Sequence, residues 1–282
     1  MTADPGTAAD GYDVVALRTL AEEAARAAGE LVVGQRPARV QVAATKSSPT
    51  DVVTAMDTAA EELLTRTLLA GRPDDGVLGE EGGLRPGSSG LTWVLDPIDG
   101  TVNYLYGIPA FAVSVAVVAG DPEPGRWTAL AGCVHNPVTG ETWTAAAGAG
   151  AALDGRPVTV NDPVPMGRAL VGTGFGYVAQ RRAQQARVLS ALLPRVRDVR
   201  RAGAASLDLC AVASGRLDAY YERGLQPWDQ AAGALVVTEA GGSVSGLDGR
   251  TAGEAMVLAG PPRLVAELDQ VLTGLSADRD AG

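Results

Sequence analysis

The chain has 282 residues, and its formal net charge of -10 argues against nucleic acid as a partner, because phosphate backbones are bound by clustered Lys and Arg. Hydrophobic residues make up 46% of the sequence and charged residues 20%, which indicates a globular protein with a sizeable core. The sequence shows neither 18 consecutive uncharged apolar residues nor a secretory pattern, so we expect no membrane span and a cytoplasmic location.

The first half predicts two helices followed by a largely antiparallel sheet. Apolar residues recur at helical spacing over residues 12–34 and 54–69, and the polar segment 45–51 between them predicts a loop or hairpin. Short apolar runs separated by Gly and Pro then predict strands at residues 77–78, 93–95, 111–118, 128–134 and 141–145. A hairpin is indicated at Asp154-Gly155.

The second half alternates between strand-like and helix-like sequence patterns. Strands are predicted at residues 169–172, 196–199, 219–221 and 255–258, and helices at 179–193, 204–214, 229–240 and 262–272. Such alternation is typical of an α/β layer with helices on both faces of a sheet. We therefore expect an N-terminal α+β lobe over residues 1–160 and a C-terminal α/β lobe over 161–282.

Three separated acidic segments indicate a metal site. They cover residues 79–83, 96–101 and 228–233, and each follows a predicted strand or opens a predicted helix. Carboxylates at such positions can converge on one crevice, and Mg2+ prefers oxygen ligands of this kind. Bound cations would also let an acidic protein accept a phosphorylated substrate.

The middle segment offers both a metal site and a phosphate site. Asp96 is predicted to end the strand at 93–95, and Pro97 stiffens the next turn so that Asp96 and Asp99 face the metals. The Ile98 carbonyl is a further candidate ligand. If Gly100 and Thr101 begin a helix, their N–H groups bind a phosphate. Alone, this segment could equally be a surface turn with a helix cap; the other acidic segments favour the metal site.

The combined pattern resembles the inositol monophosphatase family. It is carried by residues 93–104 (WVLDPIDGTVNY), 228–233 (WDQAAG) and 239–242 (EAGG), and supported by residues 46–57, 79–81, 203–205 and 218–222. The resemblance spans most of the chain. It implies a layered αβαβα sandwich, of mixed α+β and α/β class, of the inositol monophosphatase and fructose-1,6-bisphosphatase type.

The resemblance also implies a ligand set for two or three Mg2+ ions. Glu80, Asp96 and the Ile98 carbonyl would hold a first ion, and Asp96, Asp99 and Asp229 a second, with Glu80 near a third and weaker one. A cluster of this kind activates water and stabilises charge on the phosphoryl and leaving oxygens.

Further roles follow from the same resemblance. The catalytic residues would be Glu80, Thr101 and Asp57, of which the last two position the attacking water. Gly100 and Thr101 would bind the phosphate.

On the substrate side, the resemblance places Glu222 and the backbone of Gly203, Ala204 and Ala205 against hydroxyl groups. Lys46 would lie on a mobile loop that folds over the site.

The resemblance also has implications for substrate and assembly. The resemblance implies hydrolysis of myo-inositol monophosphate, lithium sensitivity and a homodimer. Histidinol phosphate, fructose 1,6-bisphosphate or a nucleotide 3'-phosphate are alternative substrates, and a regulatory role in a transcription complex is an alternative of another class. Tyr104 and Gln226-Pro227 depart from the usual family residues, and we expect both near the substrate entrance.

Overall fold

The computed structural model describes residues 11–45 and 52–280. Its N-terminal half contains three helices and ten strands, in the order α1 (Val14–Gly34), β1 (Ala44–Thr45), β2 (Val52–Val53), α2 (Ala55–Gly71), β3 (Gly76–Gly79), β4 (Gly83–Arg85), β5 (Leu91–Asp99), α3 (Thr101–Tyr106), β6 (Ala112–Gly120), β7 (Trp127–His135), β8 (Thr142–Ala146), β9 (Gly150–Leu153) and β10 (Arg156–Pro157).

The C-terminal half alternates as the sequence predicts. Its elements are β11 (Leu170–Thr173), α4 (Ala179–Leu192), β12 (Asp198–Arg200), α5 (Ala205–Ala213), β13 (Ala219–Glu222), α6 (Pro227–Glu239), β14 (Ser243–Ser245), β15 (Val257–Gly260) and α7 (Pro262–Gly274). None of the described helices combines the length and apolar character needed to cross a bilayer.

Two main sheets and three helical layers form the body of the molecule, and β1 and β2 pair as a separate two-stranded sheet. The larger sheet has eight strands in the order β10-β9-β8-β7-β6-β5-β3-β4, and only its β3–β5 pair is parallel among the described strands. The smaller has five, in the order β12-β11-β13-β15-β14. Helices α1 and α2 cover the outer face of the larger sheet, α5 and α6 lie between the sheets, and α4 and α7 cover the outer face of the smaller sheet. The predicted αβαβα sandwich is confirmed.

The alternation of side chains between the two faces of each strand explains this layering. In β5, Trp93 and Leu95 pack toward α1 and α2, whereas Val94 packs toward the middle helices. In β13, Tyr220 faces the middle layer and Tyr221 the outer one. Because side chains of successive strand residues point to opposite faces, each sheet supplies two apolar surfaces. The apolar cluster between the two sheets contains residues from both halves, so one hydrophobic core spans the predicted boundary at residue 160. The division into two lobes stays a prediction.

Strand β5 differs from its prediction in a way that shapes the site. The strand does not end before Asp96 but continues to Asp99, because β6 pairs with both Asp96 and Asp99. Its register shifts between these two residues, and Pro97 lies in the resulting bulge, where a missing N–H removes no ladder hydrogen bond. The short strands β4 and β14 were not predicted from the sequence, and the loop or hairpin predicted at residues 45–51 lies largely outside the described residues.

The middle layer depends on a close approach between its two helices at Gly233. A Cβ at this position would lie 2.8 Å from both Cβ and Cδ1 of Leu209 in α5. Since buried Leu209 has little room to move, a larger residue must push α5 and α6 apart.

We expect Gly233→Ala to destabilise the protein by about 1–3 kcal/mol through overpacking, measured as a lower Tm. Gly274→Ala is the matched control, because nothing lies within 4 Å of a Cβ at this α7 position. The control should be neutral or slightly stabilising. A Gly233→Ala protein as stable as wild type would contradict this account of the layer.

Candidate active site

One cavity between the two halves gathers most of the predicted site residues. Its volume is about 430 Å³, and the predicted residues in its wall are Glu80, Asp96, Ile98, Asp99, Gly100, Thr101, Gly203, Ala205, Glu222 and Asp229. Asp57 lies directly behind this wall, in hydrogen-bond distance of Thr101. Lys46 lies outside the described residues. The structure thus brings together residues from segments far apart in the sequence.

Three carboxylates form the centre of this cavity. Oxygen atoms of Asp96, Asp99 and Asp229 lie within 4.8 Å of one another. The bulge in β5 presents the first two, and Asp96 Oδ1 accepts a hydrogen bond from the Ile98 N–H at 3.0 Å. Asp229 lies in the first turn of α6 and accepts from the Gln226 N–H at 2.6 Å, which fixes the start of that helix.

Asp99 is held by the opposite half of the molecule. Its carboxylate accepts hydrogen bonds from the Ala205 N–H at 3.2 Å, the Ser206 N–H at 2.7 Å and the Ser206 hydroxyl at 2.5 Å. The first turn of α5 therefore orients a carboxylate of β5. Ser206 was not predicted as a site residue, because neither its type nor its position stands out in the sequence.

The electrostatics of this centre are unfavourable without a cation. Burial raises the pKa of Asp96 well above its usual value, and repulsion from Glu80, Asp99 and Asp229 raises it further. The pKa of Asp229 is likewise raised, by burial and then by Asp99 and Glu80. Burial also raises the pKa of Asp99, although its bonds to Ser206 oppose this. Among the described residues, no Lys, Arg or His forms an ion pair with any of these three carboxylates.

This donor set fits hard divalent cations. Several carboxylate oxygens that lie within 4.8 Å of one another, without a paired basic side chain in the described part of the chain, match the preferences of Mg2+. Glu80 completes the acidic wall, since it lines the same cavity and its charge acts on Asp96. The number and identity of the ions stay predictions.

Next to the carboxylates lies the start of helix α3. Gly100 has φ of +92°, and a Cβ there would lie 3.0 Å from the Ala110 carbonyl, so only glycine fits. The Thr101 hydroxyl lies 3.0 Å from the Ile98 carbonyl and 3.3 Å from Asp57 Oδ1. Asp57 is itself buried and caps α2 through the Thr54 N–H at 2.8 Å. The predicted pairing of Thr101 with Asp57 is thus geometrically possible.

The predicted substrate side is only partly assembled as expected. Glu222 lines the cavity and accepts a hydrogen bond from the Tyr220 hydroxyl, and burial raises its pKa to about 7. Gly203 also lines the cavity. Ala204, in contrast, is buried and does not contribute to the wall, and the Ala205 N–H is donated to Asp99. The substrate-binding roles of these residues stay predictions.

Of the two departures from the family pattern, only one lies where it was expected. Gln226 lines the cavity, but Tyr104 is fully buried beside Ile98 and Phe111, with the Arg36 guanidinium 5.3 Å from its ring centre. The prediction of Tyr104 near the substrate entrance was wrong, because helix α3 turns this side chain into the core. We therefore assign no role in specificity to it.

Three arginines in the cavity wall were not identified as site residues from the sequence. Arg181, Arg201 and Arg223 all line it, and the charge of Arg201 acts on Asp99 and Glu222. Arg201 follows strand β12 directly. Arg181 lies in the first turns of α4, where the sequence gives no sign that the side chain turns toward the site.

The buried carboxyl groups predict how the stability of the metal-free protein depends on pH. Burial raises the pKa of Glu222 to about 7 and that of Asp208 to about 8. The folded state therefore keeps protons that the unfolded state has already lost near pH 4, so stability falls as pH rises. In EDTA, the Tm should fall progressively from about pH 4 to about pH 8 and level off above that pH.

Asp96→Asn tests whether repulsion among the clustered carboxylates destabilises the metal-free protein. The amide keeps the acceptor for the Ile98 N–H but removes a repelling charge, so the variant should have a higher Tm than wild type in EDTA and gain less from added Mg2+. Asp121→Asn on an exposed turn is the control and should match wild type in both respects. A lower Tm for Asp96→Asn in EDTA, with an undiminished Mg2+ response, would contradict the predicted repulsion.

Comparison with known proteins agrees with this geometry. Residues 13–277 match the model of the inositol monophosphatase family. Over 273 residues the chain is 45% identical to an inositol-1-monophosphatase of Mycobacterium bovis, covering 89% of this chain and 91% of that protein. It is also 36% identical over 268 residues to a protein of Xylella fastidiosa named Nus factor SuhB, with 92% and 94% covered.

A solved structure supports the same assignment. Mycobacterium tuberculosis SuhB superimposes with a TM-score of 0.78 at 41% identity, covering 94% of this chain and 98% of that one. Sequence and fold therefore agree over nearly the whole length, and the chain belongs to the inositol monophosphatase family of phosphatases.

Proposed function

We propose that the protein hydrolyses a small phosphate monoester, with myo-inositol monophosphate as the first candidate, at the Asp96, Asp99 and Asp229 centre with Mg2+. The observation that carries this proposal is the cluster of three carboxylates, within 4.8 Å of one another, beside the start of helix α3. The names of relatives support the substrate, since the M. bovis protein is an inositol-1-monophosphatase.

The site residues have separate roles in the proposed reaction, according to where they lie. Bound Mg2+ ions would supply positive charge that lowers the pKa of water and stabilises the phosphoryl and leaving oxygens. N–H groups of Gly100 and Thr101 bind phosphate oxygens at the start of α3. The Thr101 hydroxyl and Asp57 hold the attacking water in line with the phosphorus atom. Glu222 accepts hydrogen bonds from the hydroxyl groups of the substrate.

Other properties inferred from the family accompany the proposal. We expect two or three Mg2+ ions per site, inhibition by lithium, a cytoplasmic location and a homodimer. Lys46, on the segment outside the described residues, would close over the bound substrate.

The first test is phosphate release from a panel of esters. We expect hydrolysis that requires Mg2+ and stops in EDTA, and we expect Asp229→Asn to lower kcat at least about 100-fold, since even residues behind a metal ligand contribute 10–100-fold. The panel contains inositol 1-phosphate, histidinol phosphate, fructose 1,6-bisphosphate and a nucleotide 3'-phosphate. Undiminished release in EDTA, or no release from any ester, would overturn the proposal.

A bisphosphate is the second candidate substrate, favoured by the arginines of the cavity wall. The Nε of Arg181 is buried and donates no hydrogen bond within the described residues. It lies 3.9 Å from Asp280 Oδ1, and Nη2 of the same side chain lies 3.8 Å from Glu254 Oε1. Arg201 forms neither a hydrogen bond nor an ion pair with the described part of the chain. Guanidinium groups bind phosphate through paired N–H bonds, so a second anionic group could be bound here.

Arg181→Gln decides between these two candidates. If a second phosphate binds at the wall, the variant should lose at least about 10-fold in kcat/KM for fructose 1,6-bisphosphate and less than about 2-fold for inositol 1-phosphate. Arg182→Gln, an exposed neighbour on the same helix, is the control and should change neither value. Equal losses for both substrates would show that Arg181 does not recognise a second phosphate.

A regulatory role in a transcription complex is the alternative of another class. It is supported by the relative named a Nus factor, at 36% identity. The carboxylate cluster favours catalysis, because a protein that only binds a partner has no need for buried repelling charges. Recovery of RNA polymerase subunits with the purified protein, by both wild type and Asp229→Asn, would support the additional role.

A further inference from the structure

Helix α2 presents two buried carboxylates, Asp57 and Glu61, to the active site. They are four residues apart and therefore share one face of the helix. Asp57 lies 3.3 Å from the Thr101 hydroxyl. Glu61, whose side chain is nearly inaccessible, is directed instead toward the turn between β3 and β4 that carries Glu80.

The Glu61 carboxylate binds two successive backbone N–H groups of that turn. Its Oε2 accepts from the Glu81 N–H at 2.9 Å, and its Oε1 accepts from the Gly82 N–H at 2.6 Å. On the other side, the Glu80 N–H donates to the Leu95 carbonyl of β5 at 3.2 Å. Glu80 is thus fixed to β5 by its own amide, and its two following residues are fixed to α2.

The two flanking glycines make room for this carboxylate. A Cβ at Gly79 would lie 2.4 Å from the Glu61 carboxylate, and one at Gly82 would lie 2.7 Å from Glu61 Oε1. Neither position can accept a side chain while Glu61 stays in place. Hydrogen bonds to a charged acceptor are stronger than those between neutral groups, so this contact restrains the turn firmly.

We propose that Glu61 is a positioning residue that orients Glu80 for binding a divalent cation. The inference rests on the proposed function, because it assigns Glu80 to the metal site. Helix α2 then aligns two sides of the site at once, with Asp57 at the predicted water position and Glu61 at the Glu80 turn. Loss of the Glu61 contact leaves the other carboxylates in place but releases the Glu80 turn.

Glu61→Gln removes one of the two acceptors with little change in shape. We expect the affinity for the cation that depends on Glu80 to fall by about 10–100-fold, measured by calorimetric titration with Mg2+. At saturating Mg2+, the KM for substrate should change less than about 2-fold. Glu62→Gln is the matched control, since Glu62 is the exposed neighbour on the same helix, and should bind Mg2+ as wild type does.

A double-mutant cycle with Glu80→Gln separates positioning from a general loss of stability. If Glu61 acts through Glu80, then Glu61→Gln should weaken Mg2+ binding no further in the Glu80→Gln background. A lower Tm with unchanged Mg2+ affinity, or losses that add in the double variant, would overturn the inference.

The same titrations distinguish the two levels of the proposal. If wild type binds no Mg2+, or if Glu80→Gln leaves binding unchanged, the assignment of Glu80 to the metal site is wrong. The positioning role of Glu61 is then wrong as well. If Glu80→Gln weakens binding but Glu61→Gln does not, only the positioning role is wrong.

Discussion

Repulsion between buried carboxylates is the constraint on which this structure depends. Asp96, Asp99 and Asp229 lie within 4.8 Å of one another, and burial together with mutual repulsion raises the pKa of the first and last. Such an arrangement lowers the stability of the folded chain unless protons or cations compensate it. It is maintained because the surrounding sheets and helices fix each carboxylate through its own backbone contacts.

Both halves of the molecule are needed to form this centre. Strand β5 supplies Asp96 and Asp99, whereas α6 supplies Asp229 and the first turn of α5 donates three hydrogen bonds to Asp99. The same middle helices pack on the larger sheet through a core that joins residues from both halves. The site therefore forms only when the middle layer is correctly packed, and core changes far from the three carboxylates would alter their geometry.

Most of the fold could be predicted because its signals are local. Short apolar runs, helical spacing of apolar residues and glycine-rich turns predicted the order of the elements. The three acidic segments predicted the carboxylate cluster. Strand β5 was predicted too short, because Pro97 normally ends a strand, whereas here a bulge accommodates it. Glu61 was missed because its partners are backbone N–H groups, which no sequence pattern reveals. Arg181 was missed because the orientation of α4 is set by tertiary packing.

Diffraction from crystals soaked in Mn2+, a substitute for Mg2+ that scatters anomalously, tests the central claim most directly. The account predicts anomalous density between Asp96, Asp99 and Asp229 in wild type, with a further peak beside Glu80. In crystals of Asp96→Asn grown and soaked in the same way, the central density should be lost or strongly reduced. Mn2+ found only at surface carboxylates of the wild-type protein, with none in the cavity, would contradict the account.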